Sequence, residues 1–199
     1  MLTDATQRGA TLLAIARASI SSALGRSLEA VEDAPWLQQW GACFVTLTLR
    51  QQLRGCIGTL QAHRSLLADV KANAVAAALH DPRFTALTLP ELVLTKIEVS
   101  LLSPMQSLHF DSEAHALAQL QPGIDGLVFE YGRQRSTFLP QVWEQLPAAP
   151  EFLAHLKQKA GLSPDFWDGD VRLQRYTVSK WKEDEPAART LASHKPERP

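Results

Sequence analysis

Only two of the 199 residues are cysteine, Cys43 and Cys56, and that scarcity removes several chemistries at once. Two thiols do not make a disulfide framework. With no CxxxCxxC run they do not hold the iron–sulfur cluster that radical SAM chemistry needs. The six histidines are scattered, with no HExxH and no cysteine pair, so the close-spaced ligands of a structural zinc site are missing too. The expectation is a chain with no metal and no cofactor. Charge of one sign is also lacking. Twenty Lys+Arg against 21 Asp+Glu leave a net charge of −1, without the basic clustering of a nucleic-acid footprint. The longest basic cluster, Arg133 and Arg135 around Gln134, reads as a charged hairpin turn. There is no run of about eighteen apolar residues to span a bilayer. The start, Met1-Leu2-Thr3-Asp4, has no basic segment ahead of an apolar one, so no signal peptide is expected. A cytoplasmic protein that binds neither membrane nor nucleic acid follows as the expectation.

What is present is an ordinary core-forming chain, 45% apolar. Leu13, Ala16, Ile20 and Leu24 recur at helical spacing over residues 4–24, with Gly25 as the stop. Pro35-Trp36-Leu37 ends an acidic linker, and Trp36 and Trp40 read as lid or core aromatics rather than a ligand cage. Residues 42–49 alternate, with Cys43, Val45, Leu47 and Leu49 on one side and Thr46 and Thr48 on the other; that is a strand. Residues 53–60 return as its hairpin partner. Centring the turn on Gln51 and Gln52 places Cys56 opposite Leu47 and not Cys43, which disfavours a Cys43–Cys56 bridge.

Ser65 caps a helix through Leu79 whose Leu67, Val70, Ala74, Ala77 and Ala78 form a narrow small-residue face. Pro82 stops it. A helical turn at residues 89–92 and a strand over residues 96–102 follow. Next come a hairpin over residues 127–139, a short helix opened by Pro140, a helix over residues 150–159, and a last strand over residues 171–178. Strands that arrive as hairpins among helices indicate an α+β fold rather than a doubly wound sheet. Residues 1–181 read as a single domain with a smaller second lobe, and residues 182–199 as a disordered tail.

The chemistry concentrates in Leu53-Arg54-Gly55-Cys56-Ile57-Gly58-Thr59-Leu60. Glycine inside a strand marks a bulge or a close approach to the backbone. Gly55 and Gly58 therefore leave room for a substrate or another chain segment, and a positive φ is expected at Gly58. Arg54 has the strand parity of Cys56, so both side chains are expected on one face about 7 Å apart. A neighbouring cation lowers a thiol's pKa from about 8.5 and makes a nucleophile of it. The same thiol reads equally as a small buried hydrophobe. Asp81, Arg83 and Glu98 supply charges for an ion network with Arg54, either a clamp on the Asp81-Pro82-Arg83-Phe84 turn or an anchor for a substrate carboxylate or phosphate. The candidate site is thus Cys56 as catalytic residue, with Arg54, Gly55, Gly58, Thr59, Asp81, Arg83 and Glu98 binding a small-molecule ligand. His80 reads as a partner of the last helical carbonyls rather than a base.

The run Phe44-Val45-Thr46-Leu47, the LRGCIGTL segment, Asp81-Pro82-Arg83-Phe84 and Ile97-Glu98-Val99-Ser100 resemble successive signatures of the AMMECR domain family. In prokaryotes that family is called AmmeMemoRadiSam system protein A. The likeness continues through Pro122-Gly123-Ile124-Asp125-Gly126-Leu127, Phe138-Leu139-Pro140-Gln141-Val142-Trp143, Lys159-Ala160-Gly161-Leu162 and Trp167, so it covers residues 41–178. The resemblance implies an antiparallel or mixed sheet with helices on one face and a smaller lobe. It also implies a Memo-like metalloprotein and a radical SAM protein as partners. Two roles remain open on this reading. One is an accessory or substrate-binding component with a cleft at the LRGCIG segment. The other is a cysteine-dependent enzyme using Cys56 on a small anionic substrate.

Overall fold

Two four-stranded antiparallel sheets carry the structure, each backed by its own helices. The computed structural model describes residues 4–184. Helix α1 (Asp4–Ala23) buries Leu12, Ile15, Ala16 and Ile20, and Gly25 with φ +82° lets the chain leave it. Strands β1 (Cys43–Leu49) and β2 (Gln52–Gly58) form the expected hairpin. Helix α2 (Leu66–Leu79) starts at Ser65, whose side chain accepts the Ala68 N–H. A short helix α3 (Leu89–Leu94), held by a Thr88–Glu91 capping box, leads into β3 (Thr95–Leu102).

The second lobe holds β4 (Gln106–Ser107), α4 (Glu113–Gln119), β5 (Gly126–Tyr131), β6 (Gln134–Phe138) and α5 (Ala149–Lys159). Strands β7 (Arg172–Tyr176) and β8 (Val178–Lys182) end the described chain. The first sheet has the order β2-β1-β3-β8 and the second β4-β7-β5-β6. The fold is α+β, as expected, an antiparallel sheet with its helices and a second lobe, and that lobe is built on a four-stranded antiparallel sheet of its own.

Three local expectations change. The last strand is two strands: the chain leaves the second sheet after Tyr176 and joins the first at Val178. Order also runs past residue 181. Lys182 pairs with Glu98, and Glu183 is tied to Arg17 and to the Ile97 N–H. The rest of the expected tail, residues 185–199, lies outside the described residues. Finally, the β1–β2 turn is centred on Arg50 and Gln51, both at positive φ (50° and 66°). A two-residue hairpin loop needs that geometry, because its twist matches that of the flanking strands.

Sheet one buries Cys43, Val45, Leu47, Ile97 and Val99 against α1 and α2. Sheet two packs Leu127, Phe129 and Leu173 against Phe152, Leu153 and Leu156 of α5. There Lys157 donates to Glu113 Oε1 (2.7 Å) and the Phe166 carbonyl (2.9 Å), so its buried ammonium is paired. The two cores meet at a seam of Ala42, Leu102, Val128 and Tyr176.

Candidate functional site

In an antiparallel pair, residues directly opposite each other share a face. Cys43, Val45 and Leu47 point to the helices, so Phe44, Thr46 and Thr48 point away. Cys56 lies opposite Thr46, Glu98 opposite Thr46 on the other side, and Lys182 opposite Glu98. Cys56, Thr46, Glu98 and Lys182 thus form one row across the helix-free face of sheet one. The Thr46 hydroxyl donates to the Cys56 sulfur at 3.3 Å. The thiol is half-buried, and Cys43 is fully buried on the opposite face. Burial, with the Asp69 carboxylate adding to it, pushes the Cys43 thiol far above its ordinary range and leaves it inert.

Arg54 does not stand beside the thiol. The register shifts between Leu47 and Thr48, and Arg54 is the extra residue of the bulge, so the parity it was expected to share with Cys56 is broken. Its guanidinium donates to Glu91 Oε1 (3.2 Å) and to the Thr85 carbonyl (2.9 Å), clamping α3 and the loop before it. The Glu91 carboxyl is held below its usual range by the Thr88 N–H first and by Arg54 after it.

Asp81 and Arg83 act on the backbone of Cys56. The Cys56 N–H donates to Asp81 Oδ2 at 2.8 Å, and Arg83 Nη2 donates to the Cys56 carbonyl at 3.0 Å. Arg83 also holds Asp81 through Nε–Oδ1 (2.9 Å) and Nη2–Oδ2 (2.7 Å). The pair completes the open edge of β2 where another strand would otherwise pair. Its bidentate hydrogen bonds keep the Asp81 carboxyl far below the usual carboxylate range, with the Cys56 N–H adding to that effect. This is the clamp reading of the DPRF turn; Glu98 takes no part in it.

The glycines serve packing. A Cβ on Gly55 would lie 2.1 Å from the Ala77 carbonyl oxygen, so the missing side chain lets α2 sit on the hairpin. At Gly58 a Cβ would meet the Phe44 ring at 2.2 Å; φ there is not positive, contrary to expectation. Thr59 belongs to a buried network rather than to the Cys56 face. Its hydroxyl donates to Asp69 Oδ1 (2.7 Å), which Arg64 Nε also reaches (2.8 Å). Asn73 Nδ2 bonds the Cys43 carbonyl (3.0 Å) and Thr59 Oγ1 (3.1 Å), and the Cys43 N–H bonds Asp69 Oδ2 (2.9 Å).

Sequence reasoning missed Thr46, Lys182, Glu91, Asp69 and Asn73. The spacing of Asp69, Asn73 and Ala77 along one helix stripe was an available signal for the network. His80 caps α2 and is exposed. Among the described residues no three His, Cys, Asp or Glu side chains are placed to hold a metal ion, and no helix is long and apolar enough to cross a membrane.

The AMMECR1 family model matches residues 13–181. The chain belongs to the AMMECR1 family. It is 34% identical over 194 residues to Protein MJ0810 of Methanocaldococcus jannaschii, covering 93% of this chain and 94% of that one. A Methanothermobacter thermautotrophicus protein is 37% identical over 185 residues, covering 88% and 94%. The crystal structure of the uncharacterized protein PH0010 from Pyrococcus horikoshii superposes with a TM-score of 0.76 at 33% identity, over 90% of this chain and 93% of that one. In this AMMECR1-family chain the LRGCIG segment supplies the bulge and the thiol described above, and Asp81 and Arg83 of the DPRF turn supply the clamp on its edge. The Pro122-Gly123-Ile124 and Pro140-Gln141 segments lie elsewhere, lining a cavity of about 490 Å³ with Trp143, Val178 and Lys180.

Proposed function

We propose that the protein is a binding component, a substrate holder or docking subunit, whose working surface is the helix-free face of sheet one around Cys56. The observation that carries this reading is the Cys56–Thr46–Glu98–Lys182 row itself. It presents a thiol, a hydroxyl, a carboxylate and an ammonium on one sheet face, and the Glu98 side chain makes no hydrogen bond or ion pair to a described residue. At about 4.8 Å per strand, the Glu98 backbone stands roughly 10 Å from that of Cys56. A general base must reach hydrogen-bond distance of the proton it takes. The only hydrogen bond to the Cys56 sulfur among the described residues comes from a threonine, which is no base. The partners are those that the family resemblance implies, a Memo-like metalloprotein and a radical SAM protein, with the chemistry residing in them.

One observation favours a second role: the Thr46 hydroxyl donates to the sulfur, an arrangement that also stabilises a thiolate. That role is a cysteine-dependent enzyme acting on a small anionic substrate. Binding of the purified protein to the Memo-like and radical SAM proteins of the same genome separates the two. For a binding surface, Cys56→Ala keeps affinity within about threefold, while Cys56→Phe and Glu98→Lys weaken it at least tenfold. For an enzyme, Cys56→Ala leaves binding intact but abolishes turnover by the reconstituted system. Wild-type protein that binds neither partner, or variants that all bind alike, would overturn the docking surface.

A further inference from the structure

A second cavity, of about 280 Å³, opens on the other side of sheet one, where β3 and β8 run into the second lobe. Leu101 and Ser179 face each other across those strands on the helix-bearing side, and both line it. Leu66, Leu101, Leu102 and Pro104 give it apolar walls. Two indoles complete it. Trp36 packs against the core of the first lobe, while Trp40 is 73% exposed, an unusual cost for so large an apolar side chain. Of the two indoles read as lid or core, Trp36 thus belongs to the core and Trp40 does not.

The cavity also contains one charge that the fold holds only loosely. Arg8 lines it, and its guanidinium lies over the Trp36 ring, 5.0 Å from the centroid. Its Nε is buried and makes no hydrogen bond to any described residue. The nearest carboxylate, Asp4 Oδ2, is 3.6 Å away on a side chain that is 91% exposed. An ion pair so exposed holds little. The Arg8 side chain is itself 40% exposed and makes no hydrogen bond to a described residue, so the outer donors of its guanidinium are open to an acceptor that enters the cavity. A guanidinium fork matches a carboxylate, and an indole face matches an arene. The volume falls just below the usual range of small-molecule pockets, enough for one ring and one acid group but not for a peptide segment.

We propose that this cavity binds a small aromatic carboxylate, its ring against Trp40 and the leucine wall and its acid group on Arg8. The site is separate from the Cys56 face, so its fate does not depend on the function proposed there.

The test uses the full-length protein and trans-cinnamate, an aromatic anion of one ring and one acid group, whose binding is read by titration calorimetry. The expected result is saturable binding of one probe per chain. Phenylacetate should displace it at least tenfold better than 2-phenylethanol, a neutral molecule of similar shape. Arg8→Gln should weaken phenylacetate at least tenfold and leave 2-phenylethanol unchanged, while Arg8→Lys recovers part of the loss. Trp40→Ala should weaken both. Trp40 is exposed and its loss leaves the fold intact, so it tests the site even if Arg8→Gln does not fold. Three results would overturn the proposal: unsaturable probe binding, equal displacement by the acid and the alcohol, or wild-type affinity in Trp40→Ala.

Discussion

Asp81 shows how much one side chain can carry. It accepts the Cys56 N–H, the Arg83 N–H and two hydrogen bonds from the Arg83 guanidinium, and it is buried. Replacing it with alanine leaves the Cys56 N–H without its acceptor, which costs about 1–3 kcal/mol where a group is shielded from water. The pH dependence has a definite sign. Asp81 ionises more readily in the folded protein than in the unfolded chain, so its contribution is complete above the unfolded carboxyl value of about 3.9 and is lost as pH falls below it. Glu91, also lowered, adds in the same direction. The urea midpoint is therefore expected to fall on acidification below about pH 4, with Asp81→Asn losing part of that slope and Asp81→Asn/Glu91→Gln more of it. A midpoint as acid-sensitive in the double variant as in the wild type would assign the slope to other carboxylates.

At the scale of elements, the β1–β2 turn is the informative case. Arg50 and Gln51 both adopt positive φ, a region that costs an L-residue with a Cβ about 1–2 kcal/mol. Arg50→Asn with Gln51→Gly, the pair such a turn prefers, should raise stability by roughly 1–2 kcal/mol and leave the Cys56–Thr46 contact in place. Chemical denaturation and the thiol–hydroxyl geometry in a structure of the variant check both halves. The missing glycine or asparagine is also why the turn was misplaced by one residue in the sequence. That slip alone would only have exchanged Leu47 for Val45; it is the extra residue Arg54 in the bulge that sets Cys56 against Thr46 and so moves it to the open face, and the bulge left no mark in the alternation. The helices and strands of the first lobe were legible because their apolar spacing is strong: Leu13, Ala16, Ile20 and Leu24 marked α1, although Leu12 and Ile15 rather than Leu13 and Leu24 are its fully buried members, and alternation marked β1. The split between β7 and β8 was not. The apolar phase does change, from Val171 and Leu173 to Tyr176 and Val178, but a bulge within one strand gives the same pattern, so the change does not mark Thr177 as a crossing between sheets. The crossing is decided by distant partners, Tyr176 in the seam and Trp181 against Gly9 of α1. Arg54 was misjudged for a related reason, since a bulge changes parity and only its acceptor, Glu91 on α3, shows which way the side chain turns.

The whole molecule is coupled through that crossing. Sheet one is completed by β8, which follows β7 of sheet two after a single residue, so the first lobe acquires its edge strand only from chain that has passed through the second. Trp181 is the link. Its ring occupies the space a side chain on Gly9 would need, with a would-be Cβ only 2.1 Å away, and it joins the first core as a partly buried member. Full burial of a tryptophan makes its loss to alanine worth about 3–5 kcal/mol; for a partly buried ring roughly 2–4 is expected. If the lobes unfold as one, that loss appears in both. The inert Cys43 thiol reports the first core and the stacked Trp143–Phe152 pair the second. In a Cys56→Ser background, urea should expose Cys43 to alkylation at the same midpoint at which Trp143 fluorescence changes, and Trp181→Ala should lower both midpoints together. Cys43 labelling that moves ahead of the Trp143 transition in that variant would mean that the seam of Ala42, Leu102, Val128 and Tyr176 does not hold the lobes to a single transition. Sheet one, with the Cys56 face it carries, would then be free to open on its own.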